Sequence, residues 1–387
     1  MSEYAVDKRQ LFPVLAGFFV MGFCDMIAPI TNLVAADFPD EYAGAVSFLP
    51  TMVFLWFLLL SVPMAGMMNR IGRKNTAMAG YILTMAGLVV PYTAGADCPL
   101  WRYFAGFGLL GIGNTAIQVA VNPMLAAIAP AEKMTSYLTV GQIFRNTSLL
   151  LLAPLVAWLT AEFGSWRYIM PVYAGITVVC GIWLNHTRMD EYSAQSSAGF
   201  GECFRLLGNR TVAVCTAGVA CFIAGDVGVG YLSAQLVQTD NPILITTGYY
   251  ACRIVGTIAG AVVLTRISDL KYLTWNMAAA IALCAGVFFT AGCAPWVVFL
   301  QVGLMGFTMA CIFATLFASA TKAAPGRENE ASGLMILAIS AGALSAPIIG
   351  VVVRTVGEAR WGLVFVAACL CDILWASRSL ARKNGAR

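Results

Sequence analysis

The sequence predicts an all-α polytopic membrane protein with twelve transmembrane helices in two pseudo-symmetric six-helix bundles. Three observations support this prediction: the composition is apolar, the apolar residues form runs of spanning length, and the two halves of the chain repeat each other. Of the 387 residues, 60% are hydrophobic and only 11% are charged, whereas soluble domains contain about 25% charged residues.

Twelve apolar runs along the chain have the length of a membrane span, which is about 20 residues for a helix. Gly and Pro inside these runs are compatible with membrane helices, because neighbouring groups satisfy the freed backbone. The predicted spans are residues 11–35, 43–67, 75–95, 100–128, 137–161, 168–186, 211–237, 243–265, 273–292, 295–320, 331–354 and 359–377.

The longest polar segment, residues 187–210, separates six spans from six. We therefore predict an N-terminal bundle at 1–186, a cytoplasmic interdomain loop at 187–210 and a C-terminal bundle at 211–387. With both termini in the cytoplasm, 17 of the 23 Lys and Arg residues fall on the cytoplasmic side, as the positive-inside rule requires. The N-terminal segment is too short and too acidic for a cleaved signal peptide, so we expect multi-pass insertion in the inner (cytoplasmic) membrane.

The two halves align when the chain is shifted by 195 residues. Residues 96–130 then match residues 291–325 without a gap at 10 of 35 positions, including a Cys and a Trp in loops. Repeated halves with a binding site between them near the midplane are typical of transporters.

Each half also places one aspartate inside its first span. Asp25 lies 16 residues after Arg9, and Asp226 lies 16 residues after Arg210, so both sit about 24 Å along their helices at ~1.5 Å per residue. A carboxylate at the bilayer centre costs roughly 3 kcal/mol, and such groups mark ion pathways or paired charges. We predict that Asp25 and Asp226 carry the coupling proton or cation.

Two arginines, Arg145 and Arg253, also fall inside spans. Arg145 can pair with Asp25 and Arg253 with Asp226, which would lower the cost of burying both charges. From the sequence, each pair can be either a purely structural ion pair or part of a coupling site.

Amide side chains form a stripe on span 4, where Asn114, Gln118 and Asn122 lie at i, i+4 and i+8 and share one face. Spans 1 and 5 add further amides, and span 10 carries two phenylalanines. Amides and guanidinium groups hydrogen-bond hydroxyls, and aromatic rings can stack on the apolar face of a pyranose. The predicted substrate-binding residues are Asn32, Gln118, Asn122, Gln142, Arg145, Asn146, Phe313 and Phe317.

Structural explanations exist for the same residues. Polar stripes often only join membrane helices, through hydrogen bonds worth about 0.6–2 kcal/mol, and Phe313 and Phe317 fit ordinary packing. The chain has one histidine, His186, and most of its twelve cysteines lie in apolar runs, so no nucleophile–base pair or metal cluster is visible. We expect no enzyme activity, no metal or other cofactor, and no nucleic-acid partner.

The loop between spans 2 and 3, NRIGRK at 69–74, resembles the cytoplasmic loop signature of the major facilitator superfamily, usually G-x-x-x-D-R-x-G-R-K. Asn69 stands where that signature has its acidic residue. In the superfamily this loop pairs with neighbouring helix ends and stabilises one state of the transport cycle, and losing the carboxylate would weaken that latch. The resemblance implies gating roles for Asn69, Arg70, Gly72, Arg73 and Lys74.

A closer resemblance is to the fucose–proton symporter family of sugar transporters. VNPML at 121–125 is similar to that family's A-N-P-F motif, GQIFRN at 141–146 to its span 5 motif, and FATLFA at 313–318 to its Y-P-T-I-F-S motif. FIAGDVGVG at 222–230 resembles its Y-V-G-A-E segment, with Asp226 at the acidic position. The family uses an Asp in span 1 and a Glu in span 4, which correspond to Asp25 and to the non-titrating Gln118.

The resemblance implies a monosaccharide importer that works by cation symport and alternating access, with H⁺ as the coupling ion and Na⁺ as an alternative. Its implied partners are a small-molecule sugar and the lipid bilayer, and the protein is expected to be a monomer. Two buried arginines favour a second substrate class, an anionic sugar or another small organic acid. A transporter-like sensor and a lipid translocase are alternatives of a different class.

Overall fold

The computed structural model describes residues 7–93, 95, 98–189, 200–237, 242–292, 295–343 and 345–385. These residues form α-helices joined by short turns and 3-10 helices, and no β-strand occurs among them. The predicted all-α class is confirmed.

The described residues of the first half contain nine α-helices. They are α1 (Lys8–Met21), α2 (Ile27–Ala36), α3 (Ala43–Val46), α4 (Leu49–Ile71), α5 (Arg73–Tyr92), α6 (Leu100–Ile128), α7 (Met134–Phe163), α8 (Ile169–His186) and α9 (Phe200–Arg205). Short 3-10 helices occur at Gly22–Cys24, Asp40–Tyr42 and Trp166–Tyr168.

The second half contains the remaining α-helices. They are α10 (Arg210–Val237), α11 (Pro242–Val263), α12 (Asp269–Thr290), α13 (Pro295–Met309), α14 (Ile312–Lys322), α15 (Glu328–Ala343), α16 (Ser345–Val356) and α17 (Gly362–Gly385). Two further 3-10 helices occur at Leu206–Gly208 and Ala359–Trp361.

Within the described residues, nine helices are long and apolar enough to cross a membrane, or ten when the bent pair Lys8–Cys24 and Pro29–Ala36 is one span. The sequence predicts twelve spans, and all twelve coincide with helices. The two outside this count are α5, which opens with Arg73 and Lys74, and α11, which carries Arg253. Both have spanning length, at 20 and 22 residues.

The chain divides into two compact units. Unit 1 comprises Met1–Pro130, Phe144–Phe204 and Gly326–Leu337, and unit 2 comprises Ala131–Ile143, Arg205–Pro325 and Ala338–Arg387. The units follow the sequence halves except at two segments: the start of α7 belongs to unit 2, and the start of α15 belongs to unit 1. The division at residues 187–210 stays a prediction, since residues 190–199 lie outside the described part.

The first span of unit 1 is not one continuous helix. It ends as an α-helix at Met21, continues through a 3-10 turn and resumes as α2 at Ile27, with a 45° bend between the two parts. Kinks of this size have local causes such as Pro, Gly or inserted polar groups, and Gly22 and Pro29 flank this one. The bend places Asp25 at a point where the regular backbone hydrogen bonding is interrupted.

Helix α6 is strongly enclosed by the protein. In its most apolar window 72% of the residues are buried, against 17% for α7. The amides of α6 are therefore held inside the protein, where their hydrogen-bonding groups must find protein partners or a ligand.

Candidate functional site

Asp25 follows the 3-10 turn at the bend of the first span. Its backbone N–H donates to the Gly22 carbonyl oxygen at 3.1 Å. The change of helix type frees carbonyl groups at the end of α1, and the Asn114 amide on α6 donates to two of them, Val20 at 3.4 Å and Met21 at 3.1 Å. Asn114 therefore stabilises the break in the first span at which Asp25 lies.

Helix α7 approaches this break closely because residue 22 is glycine. A Cβ at Gly22 would lie 2.5 Å from the Arg145 carbonyl oxygen and still closer to the Ser148 hydroxyl. Any side chain at this position would push α7 away. The absence of a side chain brings Arg145 within reach of Asp25.

Arg145 and Asp25 form a two-point ion pair. Arg145 Nε donates to Asp25 Oδ2 at 2.7 Å, and a terminal guanidinium nitrogen donates to Oδ1 at 2.9 Å. The Asp25 side chain keeps 27% of its surface exposed, and that of Arg145 keeps 14%. The Cys24 thiol is buried and donates to Asp25 Oδ1 at 3.5 Å. Charge-assisted, bidentate pairs of this kind are the strongest hydrogen bonds that side chains make.

The amide stripe on α6 lies beside this ion pair. Gln118 Nε2 donates to Asn114 Oδ1 at 2.9 Å and to the Cys24 sulfur at 3.4 Å, and Cys24 in turn contacts Asp25. Asn122 Nδ2 donates to the Gln118 carbonyl oxygen at 2.8 Å. All three amides have no exposed surface, so a short polar path connects α6 to the carboxylate.

Several buried polar atoms of unit 1 have no hydrogen-bond partner among the described residues. They include Gln118 Oε1, Asn122 Oδ1 and the Trp56 indole nitrogen. Leaving such a group unsatisfied costs about 1–3 kcal/mol. A hydroxyl group can donate to the two amide oxygens and accept from the indole N–H.

Unit 2 contains a second ion pair, between Asp226 on α10 and Arg253 on α11. One Arg253 terminal nitrogen lies 2.7 Å from both Asp226 oxygens, and the Tyr249 hydroxyl donates to Oδ1 at 2.5 Å. The Arg253 guanidinium also lies 5.4 Å from the centre of the Phe222 ring, a cation–π contact. Asp226 lies in a continuous helix, with 17% of its side chain exposed.

The other predicted substrate-binding residues differ in exposure and in hydrogen bonding. Asn32 is exposed and Asn146 half-buried, and neither side chain makes a hydrogen bond in the described part of the chain. Gln142 belongs to unit 2, is buried, and has an unpartnered amide nitrogen there. Phe313 and Phe317 are buried in unit 2 with ring centres 5.6 Å apart, an environment that fits core packing.

The loop between α4 and α5 makes a sharp turn at Gly72. Its φ of 89° lies in a region that favours glycine, so the small residue of the signature is required by the backbone. Lys74 Nζ donates to the carbonyl oxygens of Asn185 at 2.8 Å and Thr187 at 2.9 Å. Lys74 thereby caps the end of α8, a favourable place for a cation. Arg70 is exposed.

Asn69 and Arg73 bind the start of α15 within unit 1. Asn69 Nδ2 donates to Glu330 Oε1 at 3.1 Å, and Asn329 Nδ2 donates to Asn69 Oδ1 at 2.6 Å. Arg73 Nε donates to Asn329 Oδ1 at 2.8 Å and lies 3.7 Å from the Glu328 carboxylate. Glu330 is fully buried. The acid missing from position 69 is therefore present on the partner helix.

Tyr249, Cys24 and Glu330 are among the contributors to these sites that were not predicted from the sequence. Tyr249 precedes Arg253 by one helical turn, a spacing that places both on one face and could have revealed it. Cys24 is adjacent to Asp25, but a cysteine in an apolar run looks like a packing residue. Glu330 lies at the start of a span, where an exposed charge is the usual expectation.

Helices of spanning length with a charge pair inside the first of them define a multi-pass membrane protein. Sequence comparison then gives the family. A sequence profile of the Major Facilitator Superfamily matches residues 13–347. The chain belongs to this superfamily, and it is a transporter and not an enzyme.

Two curated relatives align over most of the chain. A glucose/galactose transporter of Brucella abortus is 23% identical over 383 residues, covering 92% of this chain and 89% of the relative. A putative glucose/galactose transporter of Helicobacter pylori is 21% identical over 368 residues, covering 89% of each.

Two solved structures share the fold. The superfamily transporter FucP in the outward conformation gives a TM-score of 0.81 at 16% identity, covering 96% of this chain and 99% of FucP. The proton:xylose symporter XylE gives 0.70 at 12% identity, covering 97% and 94%. The fold resemblance predicted from the sequence motifs is thus confirmed.

Proposed function

We propose that this protein is a secondary active transporter that imports a monosaccharide together with a proton, by alternating access, with Asp25 as the proton carrier. The observation that supports this most strongly is the Asp25–Arg145 ion pair at the break of the first span. It combines a titratable group, a competing cation and a neighbouring set of amides with unpartnered oxygens.

A neutral hexose is the substrate class that these groups favour. The curated relatives are named glucose/galactose transporters, and amide oxygens suit sugar hydroxyls. Both arginines predicted to favour an anionic substrate are already paired with carboxylates, at 2.7 Å in each case. Each pair is formally neutral, which removes the main argument for an acid sugar.

Coupling follows from competition between a proton and Arg145 for Asp25. When Asp25 is protonated, it loses its charge and the two charge-assisted bonds to Arg145 weaken. The Arg145 guanidinium then turns its donors toward the hydroxyls of the sugar. When the proton leaves on the inner side, the ion pair re-forms, the arginine withdraws from the sugar and the sugar is released.

We further propose an inner-membrane location with both termini in the cytoplasm and a monomeric protein. The excess of Lys and Arg in one set of loops supports this orientation. Sodium is the alternative coupling ion, because a carboxylate can also bind it.

Uptake of labelled glucose and galactose into proteoliposomes tests the proposal. An inward pH gradient should drive accumulation at constant sodium, and a sodium gradient at constant pH should not. Unlabelled neutral hexoses should compete, whereas uronic and sialic acids should not. Accumulation driven only by sodium would show that sodium is the coupling ion. Competition only by acid sugars would overturn the assignment of a neutral hexose as the substrate.

A further inference from the structure

Three arginines converge on a groove at one end of unit 2. The groove has a volume of about 710 Å³ and is lined by Arg210, Arg378 and Arg382, together with the side chains of Thr211, Trp375 and Ser379. No Asp or Glu lines it. Its size is within the range of small-molecule sites, about 300–1,000 Å³.

The helices place these arginines at the edge of the membrane. Arg210 begins the candidate span Arg210–Val237, and Arg382 ends the candidate span Ala359–Arg382. Trp375, one turn inside Arg378 on α17, is 56% exposed. Tryptophan is enriched at the headgroup level of membranes, so the groove lies where a lipid headgroup meets the acyl chains.

Arg378 and Arg382 also line an adjoining cavity that contains Glu132 and Asp269, and Asp269 is paired there with Lys322. Arg378 and Arg382 are four residues apart on α17, a spacing at which like charges destabilise a helix. Arg210 donates to the Ser379 hydroxyl at 3.3 Å, a neutral partner. None of the three arginines forms an ion pair within the described part of the chain.

Some other basic residues near the ends of helices have carboxylate partners, whereas the exposed Arg188 and Arg266 form no ion pair among the described residues. Arg327 lies 3.4 Å from Glu202 in unit 1, and Lys322 lies 3.6 Å from Asp269 in unit 2. The groove differs from the single exposed arginines because it groups three arginines and two hydroxyl side chains around one cavity, an arrangement that suits an anion.

We propose that this groove binds the phosphate headgroup of an anionic phospholipid, with Arg378 and Arg382 holding the phosphate and Trp375 packing against the start of the acyl chains. Guanidinium groups bind phosphate by paired hydrogen bonds, and Thr211 and Ser379 offer hydroxyls beside them. Basic pockets between membrane helices bind acidic lipid headgroups in this way. The proposal does not depend on which solute the protein transports.

Native mass spectrometry of the detergent-purified protein tests this proposal with phosphatidylglycerol and phosphatidylcholine of identical acyl chains. The wild type should prefer phosphatidylglycerol. The variant Arg378→Gln/Arg382→Gln should bind it about thirtyfold more weakly, because each basic residue near the surface contributes roughly a factor of five. The charge-retaining variant Arg378→Lys/Arg382→Lys should keep most of the preference.

A matched control keeps the result specific to the groove. Arg188→Gln/Arg266→Gln removes two exposed arginines elsewhere in the chain and should leave the preference for phosphatidylglycerol unchanged. Equal binding of both lipids by the wild type, or an unchanged preference in Arg378→Gln/Arg382→Gln, would overturn the proposal. Full displacement of the lipid by millimolar inorganic phosphate would show a site for a free anion and would overturn it as well.

Discussion

The two intramembrane aspartates are related by the sequence repeat but lie in different surroundings. Asp25 follows a 3-10 turn at a 45° bend and has 27% of its side chain exposed, with Arg145 and a weakly donating thiol as partners. Asp226 lies in an unbroken helix with 17% exposed, bound by Arg253 and by the Tyr249 hydroxyl at 2.5 Å. The pair in unit 1 is thus more exposed and lies at a broken helix, whereas the pair in unit 2 is more enclosed and has an additional hydroxyl donor.

We propose that this difference gives different roles to two residues that the sequence treats alike. A coupling carboxylate must exchange its arginine for a proton in each cycle, so it needs access and a partner that can leave. Asp25 meets both requirements. Asp226 has an additional strong donor and a counter-ion that also packs on Phe222, and we propose that its pair stabilises unit 2 rather than carrying the proton.

The largest expected effect is on accumulation by the variant Asp25→Asn. An amide keeps the size of the side chain but cannot carry a proton, so uptake should stop at the external concentration while sugar exchange continues. The measurement is the internal-to-external ratio of labelled sugar in proteoliposomes under a pH gradient. The matched variant Asp226→Asn should retain a ratio above one when equal amounts of folded protein are compared.

The second effect is on stability, and here Asp226→Asn should lose more than Asp25→Asn. Removing one partner of a buried ion pair costs about 3–5 kcal/mol, and Asp226→Asn should lie in this range because Arg253 is left enclosed. Asp25→Asn should cost less, since its site is more exposed. Thermal unfolding in detergent compares them, and the double variant Asp226→Asn/Arg253→Gln should recover part of the loss. A greater loss in Asp25→Asn would remove the distinction between the two pairs.

A smaller effect is expected for Tyr249→Phe, which removes one hydrogen bond to the Asp226 carboxylate. Hydrogen bonds to charged groups contribute about 1.5–3 kcal/mol, so the unfolding temperature should fall while coupling persists. Tyr231→Phe is the control, because Tyr231 lies on the same helix as Asp226 and is 41% exposed. Loss of proton coupling in Tyr249→Phe would instead place unit 2 in the coupling path.

The smallest effect is expected for a substitution in the amide stripe of α6, and it should appear in KM. Gln118→Leu keeps the volume but removes the unpartnered oxygen that we assign to a sugar hydroxyl, together with the Nε2 donor to Asn114 and Cys24. A lost hydrogen bond of about 0.5–1.5 kcal/mol corresponds to a two- to tenfold rise in KM. Thr115→Val on the same helix is the control, since the Thr115 hydroxyl donates to the Gly111 carbonyl oxygen and its loss should leave KM unchanged. Equal changes in both variants would indicate a disturbed helix.

Much of the fold follows from the sequence because apolar runs of spanning length have few alternatives to a membrane helix. The pairing of Asp25 with Arg145 was also predictable, since a lone buried charge requires a partner. The bend at Gly22 was not, because membrane helices tolerate Gly and Pro without breaking. The tight contact of Gly22 with α7 depends on a segment more than a hundred residues away.

The role of the loop residues shows a second limit of the sequence. Replacement of the usual acid by Asn69 predicts a weaker latch, yet Glu330 accepts a hydrogen bond from Asn69 at 3.1 Å. A carboxylate on the partner helix can take the place of one in the loop. Only the three-dimensional arrangement brings positions 261 residues apart into one hydrogen bond.

The central claim, that Asp25 and not Asp226 carries the coupling proton, is tested most directly by proton movement that the sugar itself drives. Sugar is added to proteoliposomes with no pre-existing gradients, and the external pH is followed. The account predicts external alkalinisation for the wild type and for Asp226→Asn, and none for Asp25→Asn. Alkalinisation of normal size in Asp25→Asn, or its loss in folded Asp226→Asn, would contradict the account.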